Sequence, residues 1–144
     1  MVRRIVICSP YENNFSEREQ AMEKKIERIA VIGAGIMGPG IAQVFAGHGY
    51  NVSLNDVDES NLRKGIERVK QNLALFIKKG LATEEQSKLI FSNIMVTSDP
   101  TKAVKDADFI IEAITESIDA KKKLFEQIET VCPPMRSLRA TLRP

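Results

Sequence analysis

Three glycines and an acid that follows them are the residues best suited to binding chemistry in this sequence. Gly33, Gly35 and Gly38 form the G-x-G-x-x-G pattern of "GAGIMG", between an apolar run and a helical pattern. A tight turn at the first glycine, close approach at the second and helix packing at the third would bring a pyrophosphate to the amides of a helix N-terminus. The pattern predicts a dinucleotide site, with a packing turn without ligand as the alternative.

Asp56 ends the next apolar run, "NVSLND", at the spacing from which an acid accepts hydrogen bonds from the adenosine ribose. A carboxylate there would repel a 2′-phosphate, which favours NAD over NADP. Asp58 is a less favoured substitute, since it lies past the strand and could instead cap the next helix. Asp56 could also be a solvated turn acid. A methyltransferase fold also pairs a glycine turn with an acid, but the third glycine and the immediate helix favour a dinucleotide.

The elements that must position these residues alternate between strand and helix from Ile26 onward. Four apolar runs predict strands: "RIAVIG", "NVSLND", "NIMVTSD" and "DFIIEA", the last unbroken as in a strand covered on both faces. The helix after the glycines is predicted to begin close to Gly35, because Pro39 is well tolerated only in a first turn, and to end at Gly49. Its predicted apolar stripe consists of Met37, Ile41, Val44 and Phe45.

Two further helices follow the second strand, and a last helix follows the fourth. The long helical pattern stops at Gly80, and a capping box from Thr83 to Gln86 opens another helix. The last helix is predicted to stop at Pro133 and Pro134. The order predicts an α/β fold, a doubly wound parallel sheet of Rossmann type, with a helical pair inserted between strands two and three. The predicted inner faces are Leu62, Ile66, Val69, Leu73, Phe76 and Ile77 on the long helix, and Leu124, Phe125, Ile128 and Val131 on the last.

Composition is that of one soluble domain. The chain has 144 residues, 43% of them hydrophobic, and 21 Lys plus Arg against 19 Asp plus Glu without a continuous basic face, which argues against nucleic acid. No apolar run approaches the roughly 20 residues of a membrane span. Cys8 and Cys132 lie far apart without companion histidines, which predicts free thiols, no metal site and a cytoplasmic protein. Residues 1–25 are mostly polar after Pro10, with a boundary near Met22, so they are expected to be an extension or the result of a start codon assigned too far upstream. Deletion of residues 1–21 is expected to leave folding and cofactor affinity unchanged.

The stretches "GAGIMGPGIAQVFAGHGYNVSLNDVDESNL" and "ADFIIEAITESIDAKKKLFEQIE" together resemble the NAD-binding domain of the L-3-hydroxyacyl-CoA dehydrogenases, over residues 26–134. The resemblance implies NAD as cofactor, with Ala113 to Glu116 bordering the nicotinamide half and Lys121 reaching toward it. Position supports this, because "EAITE" follows a strand end and ligands lie outside the carboxyl ends of such strands. Solvated side chains at Glu116 and Lys121 are the alternative. The cofactor-binding residues expected are Gly33, Gly35, Ile36, Met37, Gly38, Asp56, Ala113, Ile114, Glu116 and Lys121.

The resemblance also implies a reaction whose base this chain does not supply. In these enzymes a hydride leaves C3 of the hydroxyacyl group for the nicotinamide, while a histidine oriented by a glutamate takes the hydroxyl proton. His48, the only histidine, lies about 12 residues along the first helix, roughly 18 Å from its start, and is not that base. The resemblance places the base, and a C-terminal domain with most dimer contacts, beyond residue 144. No catalytic residue is expected here, and an acyl-CoA substrate belongs to the full-length enzyme.

The basic tail, residues 135–144, departs from the family pattern. Arg136, Arg139 and Arg143 stand where that pattern has a buried fifth strand and a serine motif. One possible coding sequence, read one base earlier, encodes "DAILASNTSS", which matches the pattern, so we expect a frameshift, with a genuine basic tail as the alternative. The expected function is the NAD-binding domain of a 3-hydroxyacyl-CoA dehydrogenase. A non-catalytic NAD-binding module, or a subunit that needs a separate C-terminal domain, is the alternative.

Overall fold

The computed structural model describes residues 26–114 and 117–131, together with the backbone of residues 5–6. Within these residues, strands and helices alternate along the chain. None of the described helices is long and apolar enough to cross a membrane. The elements are β1 (Ile5–Val6), β2 (Arg28–Ile32), α1 (Gly38–Gly47), β3 (Asn51–Asn55), α2 (Glu59–Lys78), α3 (Glu84–Ser92), β4 (Ile94–Thr97), α4 (Pro100–Val104), β5 (Phe109–Glu112) and α5 (Ile118–Glu129).

The strands form one sheet in the order β1-β5-β2-β3-β4. Strands β2 to β5 are parallel, and their register places Ile32 beside both Asn55 and Glu112. The predicted parallel α/β sheet is therefore confirmed. Because these three residues end their strands, the loops that follow β2, β3 and β5 all leave the sheet at the carboxyl ends of the strands. Ligands bind at these ends in open α/β sheets.

The outer strand β1 comes from the N-terminal segment, where the sequence indicated no element. Ile5 pairs with Ile111 and Val6 with Ile110, antiparallel to β5. Two residues are too few to show an alternating pattern, so periodicity could not reveal this strand. That residues 1–25 form an extension stays a prediction, but two of them have a place in the sheet.

Two buried clusters, one on each face of the sheet, join the layers. Alternate residues of β2 serve them: Ile29 and Val31 pack with α1 and α2, whereas Ala30 and Ile32 pack with α4 and α5. Burial on both faces explains why the four residues of β2 after Arg28 are all apolar.

Strand β5 is covered less completely than its apolar sequence predicted. Ile110 and Glu112 are buried, on the side of α4 and α5. Phe109 and Ile111 are only half buried against the opposite cluster. One face of this strand therefore has the predicted cover, and the other has part of it.

The helix ends follow the local signals that predicted them. At the start of α3 the Gln86 amide N–H donates to Thr83 Oγ1 (3.1 Å), and the Thr83 amide N–H donates to Gln86 Oε1 (2.9 Å), which completes the capping box. Gly49 follows α1 with φ 85°, and Gly80 follows α2 with φ 67°. Both values lie in the left-handed region that favours glycine after a helix.

The predicted inner faces of α2 and α5 are largely confirmed. Phe76 departs from the prediction, since 38% of it is exposed near the end of α2. The last helix ends at Glu129, so Val131 lies beyond it, and the predicted proline stops lie outside the described residues. The residues buried as predicted are Leu62, Val69, Leu73, Leu124 and Ile128.

The short helix α4 was not predicted. Asp99 caps it, since its carboxylate accepts from the amide N–H groups of Thr101 (2.9 Å) and Lys102 (3.4 Å), and Pro100 occupies the first turn. The Thr101 hydroxyl also donates to Asp99 (2.6 Å) and lowers the pKa of this carboxyl. An acid followed by proline is a helix-start signal, but 5 residues are too few for a helical period.

The predicted apolar stripe of α1 is confirmed for Ile41 and Phe45, which pack against the buried cluster on this face, and is wrong for Met37 and Val44. Met37 and Val44 are 42% and 60% exposed, and Ile41 and Phe45 are only half buried. The residues buried instead are mostly small, and Gly38 has to be a glycine because a Cβ there would collide with the Gly33 carbonyl oxygen. The buried residues of α1 are Gly38, Pro39, Ala42, Gln43 and Ala46.

Candidate functional site

The turn between β2 and α1 requires glycine at two of its positions. Gly33 has φ 111°, and a Cβ there would lie 2.6 Å from the Ala113 carbonyl oxygen. A Cβ at Gly38 would collide with the carbonyl oxygen of Gly33. The first glycine therefore makes the tight turn and the third permits close packing of the helix, as their spacing predicted.

Gly35 has a different environment, because no atom lies within 4 Å of a Cβ built on it. Its neighbour Ile36 is 91% exposed, and Met37 comes next, immediately before α1. The helix begins at Gly38, later than predicted, with Pro39 in the first turn as predicted. An open backbone at the start of a helix is suited to an anion, and a side chain at position 35 would occupy part of that space. The turn thus fits the pyrophosphate of a dinucleotide.

Asp56 lies against this turn, immediately after β3. Its Oδ2 accepts from the Ala34 amide N–H (2.9 Å) and its Oδ1 from the Asp58 amide N–H (2.9 Å), while Asn61 Nδ2 lies 3.4 Å from both oxygens. A carboxylate offers roughly four acceptor sites. The two amide bonds and the long contact from Asn61, which both oxygens share, occupy about three of them and leave one for a hydroxyl donor. Asp58 caps α2, since its Oδ1 accepts from the Ser60 amide N–H (2.7 Å). The structure therefore brings Asp56, and not Asp58, onto the glycine turn.

The long helix α2 crosses the glycine turn closely, a contact the sequence analysis missed. A Cβ at Gly65 would lie 2.8 Å from Pro39 Cγ and 3.3 Å from the Ala34 carbonyl oxygen. The Arg68 guanidinium lies 3.5 Å from that same oxygen. A glycine inside a strong helical pattern was the available signal, because it costs helix stability unless close packing requires it.

The segment after β5 forms the other side of the turn. The Ala113 amide N–H donates to the Ile32 carbonyl (2.7 Å), and the Gly33 amide N–H donates to the Asn55 carbonyl (2.6 Å). Ala113 and Ile114 are therefore adjacent to the first glycine. That they border the nicotinamide half stays a prediction. Glu116 lies outside the described residues.

Glu112 lies at the same strand end as Ala113, and the sequence analysis did not single it out. Its side chain is only 4% exposed, Oε1 accepts from the Ile114 amide N–H (2.9 Å), and Oε2 lies 2.9 Å from Lys121 Nζ. This ion pair holds Lys121, from the first turn of α5, at the end of β5, where its side chain is 26% exposed. The signal for Glu112 was an acid closing an apolar strand, but an acid at a strand end is ordinarily solvated.

The histidine and the two cysteines, which could support other chemistry, are not among the described residues at the carboxyl ends of the strands. His48 follows the last residue of α1; it is exposed, and its Nδ1 lies 2.8 Å from the Val44 carbonyl oxygen. Its position confirms a helix-end residue. Cys8 and Cys132 lie outside the described residues, and in the described part of the chain no group of three or more His, Cys, Asp or Glu could hold a metal.

A parallel sheet, a glycine turn that opens a helix, and an acid after the next strand define a dinucleotide-binding domain of Rossmann type. The family model described as "3-hydroxyacyl-CoA dehydrogenase, NAD binding domain" matches residues 28–140. The chain belongs to this family, whose cofactor is NAD. The match includes part of the basic tail, which lies outside the described residues.

Individual relatives agree with the family. A probable 3-hydroxybutyryl-CoA dehydrogenase of Bacillus subtilis is 38% identical over 110 residues, which cover 76% of this chain and 38% of that protein. The 3-hydroxyadipyl-CoA dehydrogenase of Escherichia coli is 36% identical, over 78% of this chain and 24% of that protein. The crystal structure of Escherichia coli 3-hydroxybutyryl-CoA dehydrogenase superposes with a TM-score of 0.72 at 36% identity, over 77% of this chain and 23% of that one. The chain thus spans well under half the length of these relatives.

Proposed function

We propose that this chain is the NAD-binding part of an enzyme that oxidises L-3-hydroxyacyl-CoA to 3-oxoacyl-CoA. The observation that carries the proposal is the glycine turn, whose middle glycine faces open space at the start of α1. A pyrophosphate there would meet backbone amides and the positive end of the helix dipole. Gly33, Gly35, Ile36, Met37 and Gly38 would line the dinucleotide.

Asp56 would hold the adenosine ribose. Its carboxylate is already fixed by the Ala34 and Asp58 amides, so it would meet the ribose hydroxyls without losing much conformational freedom. Its negative charge would oppose a 2′-phosphate, which supports NAD as the cofactor over NADP.

The nicotinamide half would lie at the end of β5, along Ala113, Ile114 and Glu116, with Lys121 beside it. Bound NAD would supply the hydride acceptor. The chain's own residues would bind and orient it, because the segment after β5 contacts the glycine turn and Lys121 is held at the strand end.

We also propose that the 144-residue chain binds NADH without turnover. Its only histidine is exposed after α1 and engaged with the Val44 carbonyl, away from the strand end where the hydroxyacyl group would react. The position of His48 equally favours the second candidate, a non-catalytic NAD-binding module or a subunit that works with a separate C-terminal domain. We further propose a cytoplasmic protein without nucleic acid or membrane partners, with homodimer contacts mostly in the C-terminal domain.

Fluorescence and turnover assays test the two functional claims separately. Purified chain should enhance NADH fluorescence in a saturable titration, and NADPH should bind more weakly. It should leave 3-hydroxybutyryl-CoA unoxidised in the presence of NAD. Turnover by the chain alone would contradict the predicted inactivity, and the absence of NADH binding would overturn the proposed function. Expression with the rest of the gene distinguishes a truncated enzyme, which regains turnover, from a non-catalytic module.

A further inference from the structure

We propose that Glu112 is a positioning residue for the nicotinamide half of the cofactor site. Its buried carboxylate bridges the Ile114 amide and the Lys121 ammonium, and it thereby sets the segment after β5 and the lysine beside the glycine turn. The inference rests on the proposed function, because it assigns a role within that NAD site.

The geometry of Glu112 makes it a connection between two elements. Oε1 bonds the backbone two residues further along, which fixes the bend after β5, and Oε2 pairs with a side chain from the first turn of α5. The bend it fixes contains Ala113, whose carbonyl oxygen is the atom nearest to a Cβ built on Gly33. A change at Glu112 is therefore transmitted directly to the wall of the cofactor turn.

Glu112 and Lys121 each hold the other side chain in place, because their charges are opposite. Burial of a carboxyl group that is only 4% exposed is costly unless the group is paired and hydrogen-bonded, and Lys121 and the Ile114 amide supply the two partners. Lys121 is held in turn, because an unpaired lysine side chain would extend into solvent. Glu112 therefore determines the position of the Lys121 ammonium group.

The amino ends of the strands, opposite the glycine turn, provide a matched control residue. Asp108, just before β5, is also buried; its Oδ2 accepts from the amide N–H groups of Glu27 (3.1 Å) and Arg28 (3.0 Å) and lies 3.9 Å from Arg28 Nε. It has the same chemistry as Glu112 at the amino ends of the strands, far from the glycine turn. Its removal should affect stability and not cofactor geometry.

The experiment compares NADH with ADP, which lacks the nicotinamide half, for the wild-type chain and Glu112→Gln, Lys121→Met, the double variant and Asp108→Asn. Affinities come from NADH fluorescence and from ADP competition, and thermal unfolding reports stability. Glu112→Gln should weaken NADH by about tenfold and leave ADP within about twofold, because only one half of the site is disturbed. The double variant should lose no more NADH affinity than Lys121→Met, since the two residues act as one unit. Asp108→Asn should lower the unfolding temperature and change neither affinity.

The outcomes separate the inference from the function on which it rests. Wild-type NADH affinity in Glu112→Gln would overturn the inference, as would an equal loss of NADH and ADP, which marks a merely structural role. The double variant lacks both the Glu112 and the Lys121 charge. If its loss of NADH affinity equalled the sum of the losses in the two single variants, the inference would also be overturned. If the wild-type chain bound neither NADH nor ADP, the proposed function itself would fail.

Discussion

Asp56 combines one task that the structure shows with a second task that we propose. It accepts from the Ala34 amide inside the glycine turn, and it retains acceptor capacity for a ribose. Spacing along the chain indicated the second task. The first joins residues 22 apart in sequence and follows only from the parallel pairing of β2 with β3.

Replacement of Asp56 by alanine should weaken NADH binding by about 1–3 kcal/mol, because the ribose hydroxyls and the Ala34 amide both lose an acceptor. The preference for NADH over NADPH should shrink as well. Titrations with both nucleotides measure these effects. The matched control is Asp58→Ala, which removes the cap of α2 and should cost stability with NADH affinity unchanged. A larger affinity loss in Asp58→Ala than in Asp56→Ala would assign the ribose to Asp58.

Residue roles were predictable where a local motif specifies them. The three glycines, Asp56 and the Thr83 capping box were found by type and spacing. Glu112 and Arg68 were not, because their partners come from other elements and no short pattern encodes those contacts.

At the scale of elements, α2 does more than connect two strands. Its Gly65 packs on Pro39 and Ala34, so the helix supports the glycine turn from outside. The contact explains a glycine within a helix of 20 residues, where alanine would otherwise be preferred.

Gly65→Ala should lower both stability and NADH affinity. The gain in helix propensity, up to about 1 kcal/mol, is opposed by overpacking against Pro39 and the Ala34 carbonyl, typically about 1–3 kcal/mol. Thermal unfolding and NADH titration measure the result. Gly47→Ala is the control, since a Cβ there would meet only Ile90, at an ordinary 3.7 Å from Cδ1 and 3.9 Å from Cγ1, and it should not destabilise the protein. If Gly65→Ala were as stable as the wild-type chain or more stable, the glycine turn would be able to shift and accommodate the added methyl group.

The stripe of α1 shows why element existence is easier to predict than element orientation. The helix was found, but its buried residues are Gly38, Pro39, Ala42, Gln43 and Ala46 and not its larger apolar residues. Hydrophobic periodicity assumes that the most apolar face is buried. Here the close packing at the glycine turn, where a Cβ on Gly38 would collide with the Gly33 carbonyl oxygen, decides which face turns inward.

For the whole molecule, the outer edge of β5 connects the N-terminal segment to the domain. Deletion of residues 1–21 should leave NADH affinity unchanged, because the glycine turn and Asp56 are untouched. The unfolding temperature should fall by a few degrees, since β1 no longer pairs with the β5 edge. In the full chain, Ile5→Pro removes a backbone donor from that strand and is the control. Unchanged unfolding temperatures in both variants would show that β1 contributes no stability.

The sequence by itself determined the order of the four parallel strands, the glycine turn, the acid that follows β3 and the family. Those properties depend on local chemistry: apolar period, glycine conformation, capping side chains and short spacing. The tertiary structure alone decided which face α1 buries, that β1 completes the sheet edge, and that Glu112 meets Lys121. Each of these is a contact between separate segments, selected by how closely the layers pack and by the need of a buried carboxylate for a partner.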